Sequence, residues 1–250
     1  MLDYLNIALE HLGGLGILLR DTFRHGFRRP REWGILVGQM NHLGVGSAPI
    51  VLTTALFTGM VLALQTAASW AAFGKLLIGD VVSLSIVREL GPVLSALMIG
   101  GRVGAGITAE IGSMKVTEQV DAIRALAADP VKKLVFPKVL ATTLMLPMLT
   151  ILANFVGILG GWLIACSELN QSSEFYLKHV RSALAVHDIF SGIGKTVFFA
   201  LFISIIACYN GLRATGGADG VGRATTQTVV AASISVLISD FFLTKLFLIF

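Results

Sequence analysis

The sequence predicts an all-α integral membrane protein, and three observations carry that reading. Hydrophobic residues make up 55% of the chain and charged residues 14%, against roughly a quarter charged in soluble domains. That is too little charge to cover a water-facing surface. The mean hydropathy is +0.81. Several apolar runs are long enough to cross a hydrocarbon core about 30 Å thick; no Lys, Arg, Asp or Glu occurs from Trp33 to Gly74. The expected architecture is an N-terminal interfacial amphipathic helix followed by five transmembrane helices, with a short cytoplasmic helix between the second and third.

The first thirty residues are neither a span nor a secretory leader, since no uninterrupted apolar run precedes a small-residue cleavage site. Leu2, Leu5, Leu9, Leu12, Leu19 and Phe23 recur mostly at three- and four-residue steps, while Arg20, Arg24 and Arg28 line another face. That pattern suits a helix lying in the membrane interface, or a soluble helix packed on a partner. The spans are expected at Ser47 to Gln65, Leu90 to Ile111, Val139 to Ser167, Thr196 to Leu212 and Thr225 to Phe250. Each carries Gly, Ser or Thr, as helices packed through small residues do. The clearest case is Gly100-Gly101, Gly104, Ala105, Thr108, Ala109 and Gly112, where steps of four repeat.

Orientation follows from the basic residues. Arg20, Arg24, Arg28, Arg29 and Arg31 lie in the arm, Lys115, Arg124, Lys132, Lys133 and Lys138 between spans two and three, and Arg213 and Arg223 between four and five. The other side holds Lys75, with Lys178 and Arg181 beside Glu168, Glu174 and Asp188. The positive-inside rule therefore puts the N-terminus in the cytoplasm and the C-terminus outside. The net charge of +4 reflects this topology rather than nucleic-acid binding.

Motifs for catalysis fail on inspection. "GIGKT" at 192–196 needs a glycine at Ile189 to be a phosphate-binding loop, and "GAGITA" at 104–109 has no strand before it. The five histidines show no metal-binding spacing. Cys166 and Cys208 fall near opposite ends of spans three and four, too far apart to bridge, so both are expected as free thiols. No enzyme, metal site or cofactor is expected. The segment 113–138, "SMKVTEQVDAIRALAADPVKKLVFPK", places Val116, Val120, Ile123 and Leu126-Ala127 at helical spacing, with Glu118, Gln119, Asp121 and Arg124 on other faces. Asp129-Pro130 is expected to end that helix, because the residue before proline is pushed out of the α region. It is either a solvated connector or a docking element for a cytoplasmic partner.

"RELGPVLSALMIGGRVGAGITAEIGSMKVTEQVDAI" and "ALAADPVKKLVFPK" resemble the signature of the MlaE/YrbE permeases, the membrane subunits of MCE-type ABC lipid transporters. The resemblance runs from about Gly44 to the C-terminus and takes in "FTGMVLALQ" (57–65) and "GVGRATTQTVV" (220–230). It divides the chain into an arm, 1–42, and a permease domain, 43–250. It implies a homodimer in a bacterial inner membrane, moving phospholipids between inner and outer membranes. It also implies a cytoplasmic ABC ATPase that binds the ATP, a periplasmic hexamer of MCE-domain proteins and often a small STAS-domain protein. The segment at about 115–130 would be the coupling helix, with Glu118, Gln119, Asp121, Arg124 and Asp129 facing the ATPase. It departs from the E-A-A-x-x-x-G pattern of ordinary ABC importers, with Gln119 and Val120 after the glutamate and Arg124 at the glycine position.

One stretch stands out chemically. Arg88 and Glu89 sit in apolar sequence just before Gly91-Pro92, read as a helix break near the outer end of span two. Ionisable residues at membrane depth face a cavity or a partner and mark substrate routes. Neighbours on a helix project about 100° apart, so Arg88 is free to meet a lipid phosphate while Glu89 pairs with Lys195 or with a second copy. In the resembled family, the charges matching Arg88, Glu89 and Lys195 line a lipid pocket at the dimer interface. A purely structural ion pair pinning the break fits as well. Other readings of the whole chain are a non-transporting anchor for MCE proteins, a channel, or a permease for a sterol, fatty acid or solvent; nothing resembling a filter supports the channel.

Overall fold

The computed structural model describes residues 2–26, 33–70 and 77–249. Arg28, Arg29, Arg31 and Lys75, counted above in the charge asymmetry, lie outside them. Every regular element among the described residues is helical. In chain order they are α1 (Leu2–Gly26), α2 (Trp33–Ser69), α3 (Ile78–Val116), α4 (Gln119–Ala125), α5 (Val131–Ser167), α6 (Ser173–Ala183), α7 (Val186–Leu212) and α8 (Gly217–Ile249). The five long ones, α2, α3, α5, α7 and α8, are long and apolar enough to span a membrane, as expected.

The spans are longer than the apolar runs that marked them. α3 starts at Ile78 rather than Leu90, α7 at Val186 rather than Thr196, and α8 at Gly217 rather than Thr225. Apolar runs report the hydrocarbon-facing part of a helix, whereas the backbone goes on pairing beyond it. Gly91-Pro92 does not break α3 either. The chain makes a π-helical turn over Ile86–Leu90 and continues as α-helix, with Pro92 in its first turn. That is where a missing N–H costs least. A second π-helical turn covers Gly100–Gly104.

Packing is set by small residues at close crossings. α2 lies against α5 where a Cβ on Gly59 would overlap the Gly157 carbonyl and one on Gly160 would overlap that of Leu56. This is closer than the crossing singled out from the sequence, where a Cβ on Gly100 or Gly104 would stand 3.5–3.9 Å from Ile203, Thr228 and Ala232. The central core joins Ile99, Val103, Ile107 and Ile111 of α3 to Phe199, Ile203 and Ala207 of α7 and Val236 of α8. Within it, fully buried Thr108 and Thr228 share a 2.9 Å hydrogen bond, and Asn210 donates to Thr228 at 2.9 Å.

α1 docks at the α4 end of the bundle. Leu18 and Thr22 are buried, His11 meets Tyr209 edge-on at 5.8 Å, and Arg213 donates to Glu10 at 3.1 Å. The Glu10 bond raises the Arg213 pKa further above its ordinary value. Leu9, Leu12, Leu19 and Phe23 stay exposed. They form an apolar face left for hydrocarbon, beside the face that holds the bundle. At the other end α6 closes over α3, with Tyr176 fully buried and its hydroxyl donating to the Ile158 carbonyl at 3.1 Å. Burial pushes the Tyr176 pKa well up. Cys166 and Cys208 are both free.

Candidate functional site

Three elements bring five ionisable residues of the spans together. The π-helical turn of α3 at Ile86–Leu90 presents Arg88 and Glu89, the first three turns of α7 bring Asp188 and Lys195, and α8 brings Asp240 and Thr244. Lys195 is the centre. Its side chain is 2% exposed and its Nζ lies 2.8 Å from Glu89 Oε1 and 3.2 Å from Asp240 Oδ1. It also donates to Thr244 Oγ1 at 2.6 Å and to the Arg88 carbonyl at 3.1 Å. The last bond has a local cause. Pro92 has no N–H, so an upstream carbonyl of α3 lacks its helical partner, and the ammonium takes that place. Thr244 in turn donates to Glu89 at 3.2 Å.

Glu89 therefore pairs with Lys195, as one of the sequence readings had it. Arg88 and Glu89 do not pair with each other. Arg88 has a partner the sequence did not suggest: Asp188 Oδ1 accepts from its Nε at 2.8 Å and lies 2.7 Å from Nη2. Asp188 also accepts from the Ala185 backbone N–H at 2.9 Å, capping α7. The Arg88 side chain is 48% exposed and that of Asp188 4%. One edge of the guanidinium is thus occupied, and Nη1 has no hydrogen-bond partner among the described residues. Two cations meet three carboxylates here, with Arg88 and Glu89 at the protein's outer surface and Lys195 behind them.

Asp188 and Asp240 were the residues missed. Asp188 was read as loop charge because the span was started ten residues late. The signal was in the sequence nonetheless: Asp188 lies seven residues, two helical turns, before Lys195, and so on the same face.

At the opposite end, α4 and its flanks form a different kind of surface. α4 is shorter than the segment 115–130, and Asp129-Pro130 does not end it. The chain leaves the helix at Leu126, and Ala127 is left-handed with φ 57°. Asp129 instead accepts from the Val131 N–H at 2.9 Å, capping α5. Glu118 is also left-handed, with φ 61°. Two non-glycine residues in this region cost about 1–3 kcal/mol each and are found where surrounding structure or function demands them. Val120 is fully buried, anchoring α4, whereas Leu126, expected on the same apolar face, is 81% exposed. Lys115 and Arg124 both bind Asp121, at 2.7 and 3.2 Å. The Lys115 hydrogen bond holds the Asp121 carboxyl below the usual carboxylate range. Gln119 donates to Thr117 at 3.1 Å, and Glu118 extends without a partner among the described residues.

No group of three metal-ligating side chains occurs among the described residues. The described residues thus hold an in-span charge cluster at one end and a strained, partly apolar surface at the other. Comparison with known sequences identifies the class of protein. A probable ABC transporter permease protein of Rickettsia bellii is 45% identical over 95% of this chain and 92% of its own length. One of Synechocystis sp. is 46% identical over 83% of this chain and 80% of its own. The intermembrane phospholipid transport system permease protein MlaE of Haemophilus influenzae is 40% identical over 94% of this chain and 91% of its own. The protein is the permease component of an ABC transporter. The family described as Permease MlaE matches residues 36–246, and the chain belongs to that family.

Proposed function

We propose that this chain is the membrane subunit of a system that moves phospholipids between the inner and outer membranes of a bacterium, driven by a separate ATPase. The observation that carries this reading is the half-exposed Arg88 guanidinium. It is anchored on one edge by buried Asp188 and open at Nη1, at a depth where the available anion is a lipid phosphate. Arginine binds phosphate through its planar fork. The Haemophilus relative's name points to the same substrate.

In this reading the N-terminus and α4 face the cytoplasm, following the Lys and Arg asymmetry. α4 with Glu118, Gln119, Asp121, Arg124 and the exposed Leu126 receives the ATPase, while Asp129 holds the junction to α5. The chain itself binds no ATP and no cofactor and performs no catalysis. A second copy packs along α8, whose outward face is largely uncovered. A periplasmic hexamer of MCE-domain proteins takes the lipid on the far side, and a STAS-domain protein accompanies the ATPase.

The test is reconstitution of the chain with and without its ATPase in donor vesicles holding labelled phospholipid. ATP-dependent transfer should require both proteins. ATP hydrolysis by this chain alone, or transfer indifferent to ATP, contradicts the proposal.

A further inference from the structure

α3 carries a second π-helical turn, and it too holds an arginine. Arg102 lies in Gly100–Gly104, about 21 Å along the helix from Arg88. π-helical turns are rare and concentrate at functional sites; the described chain has four, and besides the two in α3 they cover Met40–Gly44 in α2 and Val131–Val135 at the start of α5. Arg88, Lys195 and Lys138 each hold a carboxylate within 3.2 Å. Arg102 does not. Among the described residues its partner is a hydroxyl, Ser47 Oγ, to which Nη1 donates. The side chain is exposed, and a Cβ on Gly46 would stand 3.1 Å from Nη2. Bare Gly46 thus leaves room for the guanidinium to lie close against α2, and Ser47 is its one hydrogen-bond partner among the described residues.

The depth of Arg102 follows from its neighbours. The exposed apolar residues of α8 run from Val230 to Ile249, about 28 Å of helix and so one hydrocarbon thickness. Gly100 and Gly104, on either side of Arg102, pack at Ala232 and Thr228. Arg102 therefore sits at the edge of the band nearest α1, where lipid phosphates lie. A second copy cannot neutralise it there. Copies with one orientation in a membrane are related by an axis along its normal, which puts Arg102 level with its own mate. Glu110, the next acidic residue on the exposed face, is about 12 Å away along the helix.

We infer that Arg102, tethered by Ser47, is a second phosphodiester site, for the headgroup of a phospholipid of the leaflet on the α1 side. The inference rests on the phospholipid reading above and adds the place where a lipid of that leaflet is held.

The experiment counts lipids on the full chain by native mass spectrometry after delipidation. The probes are phosphatidylglycerol, diacylglycerol with the same chains, and inorganic phosphate. Wild type should bind one more phosphatidylglycerol per protomer than Arg102→Ala, with at least a tenfold loss of affinity at that site. Arg102→Lys and Ser47→Ala, which keep a cation in place, should lose severalfold, and diacylglycerol should not occupy the site. Arg88→Glu should keep the Arg102-dependent lipid. Equal phosphatidylglycerol counts in wild type and Arg102→Ala, equal binding of diacylglycerol, or saturation by inorganic phosphate alone would each overturn this site. No phospholipid on wild type would overturn it together with the transport reading.

Discussion

The Lys195 cluster and the α4 surface hold similar numbers of charges and use them in opposite ways. Around Lys195, backbone geometry, a proline and three helices converge so that a buried ammonium has four oxygen neighbours within 3.2 Å. Around α4, the ion pairs of Asp121 are solvent-exposed, Leu126 is left uncovered, and two residues are held left-handed. The first arrangement lowers its own energy within this chain. The second keeps an exposed apolar side chain and two strained residues that nothing within the described chain offsets. In the proposed function, the contrast separates the end that handles a charged ligand from the end that receives work.

The comparison breaks most visibly at Lys195. Lys195→Met leaves Glu89, Asp240 and the Arg88 carbonyl facing each other without a cation. Removing one member of a fully buried pair costs about 3–5 kcal/mol; Glu89 is 41% and Asp240 20% exposed, so a drop in thermal midpoint at the lower end of that range is expected, read by tryptophan fluorescence in detergent. An unchanged midpoint would mean the ammonium is not structural.

Next in size is the α3–α7 crossing. A Cβ on Gly192 would run into the Val87 carbonyl in the first π-helical turn, so Gly192→Ala should push α7 away. Overpacking of this kind costs about 1–3 kcal/mol, and lipid retention should fall with it. Arg88→Asp and Asp188→Arg should each destabilise, while the swapped pair recovers about 1 kcal/mol or more. Additivity of the two singles would show that the pair does not couple.

At the other end the expected pattern reverses. Leu126→Ser should leave the thermal midpoint almost unchanged, within about 0.5 kcal/mol, yet weaken association with the ATPase in a pull-down. Charge reversal at Glu118 or Arg124 should do the same. A lost fold with intact association would contradict the assignment of this surface. The smallest effect is on pH. The carboxyl of Asp121 is held below its ordinary range by Lys115. Its contribution is therefore present at neutral pH and lost only as pH falls through that lowered value, so moving from pH 7 to 5 should not change α4 protection in hydrogen exchange.

Much of this was readable from residues alone. Apolar runs located all five spans, helical spacing located α4, and Glu89 with Lys195 was a nameable pair. The ends of the spans were not readable, because backbone pairing outlasts the apolar run, and that hid Asp188. The π-helical turns escaped because one inserted residue barely disturbs a pattern with a period of 3.6. They matter most, since they aim Arg88, Glu89 and Arg102. The exposure of Leu126 escaped because spacing gives a face but not where a seven-residue helix stops.

The central claim is that the half-exposed side of the Lys195 cluster holds phospholipid through Arg88. Bound phospholipid per protomer and thermal midpoint, recorded on the same preparations of wild type, Arg88→Glu and Arg88→Lys, test it most directly. The account predicts that Arg88→Glu loses most of its lipid beyond what its fall in stability explains, with Arg88→Lys intermediate. Unchanged lipid content in a destabilised Arg88→Glu protein would contradict it and leave the cluster a structural pin.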